Sequence, residues 1–148
     1  MNKRLTFHLI GNVVRVAGLL MLAPLIVSLI YGGGDAVPIL IAMVITLAAG
    51  CALALIRPRR DFLRAREGFA VVAFSWILVS FFGGLPFYFS GYIPSLMDCF
   101  FETVSGFTTT GATILRDLEA LPKGLLFWRS FTHWAGGMGV LEIGRAHV

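Results

Sequence analysis

The sequence predicts an all-α membrane protein, and three observations predict it. Hydrophobic residues make up 57% of the chain and charged residues only 14%. The mean hydropathy is +0.85. The apolar residues fall into four runs, each close to the roughly 20 residues a helix needs to cross the hydrocarbon core. A soluble domain of 148 residues needs more polar surface to cover its core. The length allows about four crossings and no sizeable soluble domain.

The net charge of +4 does not point to nucleic acid, because of where the charges lie. Lys3, Arg4 and Arg15 cluster at the start, and Arg57, Arg59, Arg60, Arg64 and Arg66 cluster between two apolar runs. This is the pattern of cytoplasmic loops. Cys51 and Cys99 are far apart with no CxxC, which argues against a disulfide scaffold and a zinc site. No cleavable leader is evident after the first run.

The first apolar run covers 13–31 and ends at the turn signal Gly32-Gly33-Gly34-Asp35. The second covers 37–56, with Pro38 near its start. So short a linker demands a helical hairpin. Ala48, Ala49, Gly50, Ala52 and Ala54 give the second helix small residues suited to close packing. Arg57-Pro58-Arg59-Arg60 stops it. The third run covers 68–89, and Gly83-Gly84 and Pro86 are expected to kink or end it. The fourth covers 125–141 and contains Arg129, His133 and the cluster Gly136-Gly137-Met138-Gly139. With the N-terminus and the 57–66 linker in the cytoplasm, the charge bias and the parity of the spans agree.

Between the third and fourth runs lies the mixed segment 91–123, too long for a tight turn. Residues 96–107 (LMDCFFETVSGF) form about three helical turns on this reading. Ser95, preceded by Pro94 and followed by Asp98, is expected to cap them. Thr108-Thr109-Thr110-Gly111-Ala112-Thr113 follows.

Such a loop suits ion chemistry. A dehydrated potassium ion needs oxygens to replace its water, and pores supply them as backbone carbonyls from an extended loop. Glycine permits the torsions this requires, and threonine adds hydroxyl oxygens. A short helix before the loop turns its partly negative C-terminal end toward the ion. Non-helical backbone at membrane depth must be buried in protein or line a wet cavity. The competing reading is an exposed polar loop after an interfacial helix.

Three longer stretches carry a resemblance. FFETVSGFTTTGAT (100–113), LPKGLLFWRSFTHWAGGMGV (121–140) and GNVVRVAGLLMLAPLIVSLIYGGGD (11–35) resemble, in the same order, segments of the TrkH/TrkG potassium transporters. The resemblance implies four membrane–pore–membrane repeats of the potassium-channel-like plan around one pore, with an extra N-terminal hairpin. Residues 1–62 then form that transmembrane hairpin. Residues 63–142 form the first repeat, made of a membrane helix, a pore helix, a filter loop and a second membrane helix.

By the same resemblance Gly111 is the filter glycine, and the carbonyls of Thr109, Thr110, Gly111 and Ala112 hold K+. Serine at this glycine goes with sodium preference in related plant transporters, so Gly111 implies potassium. Thr108, Thr113 and Glu102 are assigned to supporting the loop. The resemblance also implies a bacterial inner-membrane protein, a homodimer and a cytosolic nucleotide-binding regulatory subunit. No cofactor is expected beyond K+ as the transported ion.

Each ion site needs four loops, and only one TTTGA-like stretch occurs here. The chain is therefore expected to be incomplete or to tetramerise as a small cation channel. A non-conducting scaffold or assembly subunit is the third reading. Residues 143–148 (IGRAHV) match the translation of a common sequencing adapter and are expected to be non-native. No HExxH, GxSxG or P-loop marks an enzyme.

The remaining polar residues leave alternatives open. Arg129 and His133, four apart on one helix face, make either pore-side or interhelical contacts, or snorkel to the interface. Glu102 either holds the loop by hydrogen bonds or lends negative potential to the mouth. Asp98 reads as a cap rather than an ion ligand. Trp76, Trp128 and Trp134 read as interface or packing aromatics. Gly136, Gly137 and Gly139 read as close packing or a flexible point.

Overall fold

The computed structural model describes residues 3–56 and 65–145, with side chains described over 3–56 and 66–139. They form α1 (Lys3–Leu20), α2 (Leu22–Tyr31), α3 (Ala36–Ala54), α4 (Ala65–Ser90), α5 (Leu96–Phe107) and α6 (Lys123–Arg145). Among the described residues there is no strand. Three segments among the described residues are long and apolar enough to cross a membrane: Lys3–Tyr31, Ala36–Ala54 and Arg66–Ser90. They cover the first three apolar runs. The fourth run lies in α6, which is not among those three. The basic linker at 57–64 lies outside the described residues, as do residues 146–148 of the tail.

The first crossing differs from the single helix expected over 13–31. It begins at Lys3 and breaks at Met21. Pro24 has no N–H to give the Leu20 carbonyl, so the regular ladder fails one turn earlier. The chain tightens there, with the Met21 amide donating to Gly18 O at 3.2 Å. The ladder resumes with the Leu25 amide on Met21 O at 3.2 Å. The early start is explained by burial. Leu5, Ile10 and Val14 are buried, α1 packs along α3, and His8 Nδ1 lies 2.7 Å from the Ala54 carbonyl.

Helix pairs in lipid gain little from the hydrophobic effect and rely on close packing and polar contacts. At the α1–α3 contact the backbones approach closely. A Cβ on Gly11 would lie 2.5 Å from Ala54 N, and one on Gly50 would lie 2.7 Å from Arg15 N. The α2–α3 turn closes with Gly32 in the left-handed region (φ 64°) and its amide on Ser28 O. Outward positions such as Ile30, Val37 and Phe69 are exposed and apolar, as suits lipid-facing helices rather than a wet surface.

Helix α4 does not end at Gly83-Gly84 or Pro86; it runs through them to Ser90. Pro86 removes the bond that the Phe82 carbonyl would accept. At the adjacent position, the buried Trp128 indole N–H from α6 donates to Gly83 O at 2.9 Å. Trp128 is thus a core residue, 1% exposed, whereas Trp134 is exposed. Helix α5 lies against both α4 and α6. Phe107 at its end meets Trp76 and Trp128 edge-on, with ring centroids 6.3 Å and 6.4 Å away.

Candidate functional site

The site is the loop that leaves α5. Ser95 sits in extended conformation at the N-cap of that helix, and its Oγ accepts from the Asp98 amide at 3.4 Å. Asp98 itself is exposed. The helix buries Cys99, Glu102, Thr103, Ser105, Gly106 and Phe107. Its far end is anchored on α6, where Gly136 meets the Phe107 backbone so closely that a Cβ would fall on the Phe107 carbonyl.

Beyond Phe107 the chain folds back on the helix through its amides. Thr109 N–H donates to Gly106 O at 2.9 Å. Thr110 N–H and Gly111 N–H both donate to Ser105 O, at 3.0 and 3.4 Å. The reason is backbone geometry. Thr109 (φ 59°) and Gly111 (φ 77°) are left-handed, while Thr108 (φ −81°) is not. Alternating handedness gathers successive amides on one side as a nest. The C=O of one residue and the N–H of the next point in opposite directions across their shared peptide, so the carbonyls of Thr108, Thr109 and Thr110 are presented on the other side. Among the described residues no donor reaches the carbonyls of Thr109, Thr110 or Gly111. Glycine is at home at φ 77°, but a β-branched threonine at φ 59° is a local strain.

The flank of the loop is tied down by side chains. Ser105 Oγ donates to the Ala112 carbonyl at 2.6 Å, so one lone pair of that oxygen is engaged with α5. Thr108 Oγ1 donates to Val104 O at 2.7 Å and lies 2.9 Å from Thr110 Oγ1. Glu102, 1% exposed, holds three donors. Its Oε2 accepts from Thr113 Oγ1 at 3.0 Å and from the Ile114 amide at 3.2 Å, and its Oε1 accepts from Arg129 Nε at 2.5 Å. The carboxylate therefore joins α5, the loop and α6. Residues 108–114 are exposed in this chain.

His133 does not join the cluster: its Nδ1 lies 2.8 Å from the Arg129 carbonyl, one turn back on the same helix. Among the described residues no group of three or more His, Cys, Asp or Glu could hold a metal ion.

Sequence reasoning gave Asp35 no role beyond the turn it closes. In the structure it is 2% exposed. Its Oδ1 accepts from Ser28 Oγ, and its Oδ2 accepts from the Leu125 amide at 3.0 Å in the first turn of α6. One signal was available. Pro122-Lys123-Gly124, where α6 starts, offers no side chain able to cap a helix.

The profile of the TrkH family, described as "Cation transport protein", matches residues 36–144. The Trk system potassium uptake protein TrkH of Escherichia coli K12 is 39% identical over 141 residues, covering 88% of this chain and 29% of that protein. An uncharacterized cation transporter of Methanocaldococcus jannaschii, MJ1485, is 34% identical over 136 residues, covering 92% of this chain and 28% of that protein. The crystal structure of the potassium transporter TrkH from Vibrio parahaemolyticus superposes with a TM-score of 0.92 at 36% identity, covering 99% of this chain and 32% of that one. The chain thus spans under a third of the length of these relatives. Profile, sequence and fold agree: the chain belongs to the TrkH family of cation transport proteins.

Proposed function

We propose that the protein takes part in potassium uptake across a bacterial inner membrane as a Trk-type transporter, and that this chain contributes one of four filter strands. The observation that carries this reading is the run of carbonyls at Thr109, Thr110 and Gly111, which no donor among the described residues reaches, the first two opposite amides bound to Ser105 O. Oxygens left without donors are what a dehydrated cation requires. Relatives of 34–39% identity are named as Trk system potassium uptake proteins.

On this reading the carbonyls of Thr109, Thr110, Gly111 and Ala112 face K+, with the Ala112 oxygen shared with Ser105. Thr108, Thr113 and Glu102 hold the loop in shape. Residues 1–62 form an accessory hairpin and 63–142 the first repeat. The N-terminus lies in the cytoplasm, since Lys3 and Arg4 begin the chain and basic residues favour that side. The complete protein works as a homodimer with a cytosolic nucleotide-binding subunit.

The test is growth at low potassium of cells lacking their own potassium uptake. The full-length protein should restore growth, and Gly111→Asp should abolish it. Normal growth of that variant would remove Gly111 from the filter. Ion flux through the purified 148-residue chain in liposomes separates a repeat that needs its sisters from a small tetrameric channel.

A further inference from the structure

Asp35 belongs to the hairpin yet binds the helix that holds the filter. Helix α6 begins after Pro122, whose own side chain cannot accept a hydrogen bond. A cap normally accepts from the second or third amide of its helix. Here Asp35 does so from the turn between α2 and α3, through Leu125 N–H at 3.0 Å, with its negative charge at the positive end of α6. Gly124 makes room for it, since a Cβ there would meet Asp35 Oδ2 and Ser28 Cβ. Ser28 Oγ holds the other oxygen.

Arg129 lies one helical turn beyond Leu125. It reaches Glu102, which binds Thr113 Oγ1 and the Ile114 amide. A continuous series of hydrogen-bonded groups thus runs from the hairpin to the flank of the filter loop. We infer that Asp35 is a positioning residue for ion selection: by capping α6 it sets the height of Arg129, and through Glu102 the shape of the loop. The inference rests on the transport reading above and gives the N-terminal hairpin a part in selectivity.

Full-length transporter carrying Asp35→Ala, Asp35→Asn or Ser28→Ala is expressed in cells deficient in potassium uptake. Initial K+ and Na+ uptake are measured and normalised to the protein in the membrane. A residue that only stabilises the fold lowers both uptakes together and leaves their ratio intact. A positioning residue lowers the ratio of K+ to Na+ uptake, by about fivefold for Asp35→Ala, the loss of one charged helix cap. Asp35→Asn keeps an oxygen for the Leu125 amide and should lose less.

An unchanged ratio in Asp35→Ala, with the protein in the membrane, overturns the inference and leaves the transport reading standing. If Asp35→Ala does not reach the membrane, Asp35→Asn decides. Amide hydrogen exchange at Ile114 in that purified variant should be faster than in the wild type. Equal protection overturns the link from hairpin to loop, even if the wild type were to carry no potassium.

Discussion

Glu102 and Arg129 pair at 2.5 Å across the α5–α6 contact, the glutamate side chain fully buried and the arginine 12% exposed. The same carboxylate holds the loop after Gly111 through Thr113 and Ile114. One buried anion thus serves a helix–helix contact and a loop at once. Each donor repays part of the cost of burying it.

Removing one partner of this pair is predicted to be worse than removing both. A buried ion left alone costs about 3–5 kcal/mol, whereas a neutral pair costs much less. Arg129→Gln and Glu102→Gln should each lower the melting temperature of the detergent-solubilised protein. The double variant should fall by less than either single variant. Strictly additive losses would show that the two residues do not act together.

Ser105→Ala deletes the donor to the Ala112 carbonyl, a hydrogen bond worth about 1 kcal/mol. Ser105→Thr keeps a hydroxyl. On the transport reading proposed above, the alanine variant of the full-length protein should lose preference for K+ over Na+ in uptake assays, with normal protein levels, and the threonine variant should retain it. Equal preference in both would remove this bond from the filter geometry.

Thr109 and Gly111 should respond to substitution in opposite directions. A left-handed conformation costs a residue with a Cβ roughly 1–2 kcal/mol. Gly111→Ala should therefore destabilise by about that amount, through the backbone alone, because nothing among the described residues lies within 4 Å of the new Cβ. Thr109→Gly relieves the same strain, against a glycine entropy cost of roughly 0.5–1 kcal/mol, and should be neutral or slightly stabilising. Melting curves of the two variants check the signs.

Gly136 and Gly139 separate packing from flexibility in α6. A Cβ at Gly136 would strike the Phe107 carbonyl, while among the described residues nothing lies within 4 Å of one at Gly139. Gly136→Ala should cost about 1–3 kcal/mol as an overpacked contact. Gly139→Ala should gain up to about 1 kcal/mol from helix propensity. If Gly139→Ala instead lowers transport while raising the melting temperature, the helix flexes at that glycine.

The membrane class and the positions of the helices were legible in the chain. Runs of apolar residues near 20 long have few alternatives to a spanning helix. The turn at Gly32 and the short helix 96–107 were legible because Gly and Ser carry local backbone preferences. The break at Met21 was missed although Pro24 announces it. Of the two outcomes open at Gly83-Gly84 and Pro86, a kink or an end, the helix does not end there, and the neighbouring Gly83 carbonyl is met by Trp128 from a distant helix. At both prolines the local rule acts together with tertiary partners that lie far along the chain.

By itself, then, the sequence determined the solvent this chain belongs in, the order of its helices and the Thr/Gly composition of its loop. These properties depend on side-chain transfer energies and near-neighbour backbone sterics, which act over a few residues. Only the tertiary structure decided that Glu102 faces both Arg129 and Ile114, and that Asp35 caps a helix 90 residues away. Neither pairing has a periodicity, because a buried charge finds its partner through the fold and not through spacing along the chain.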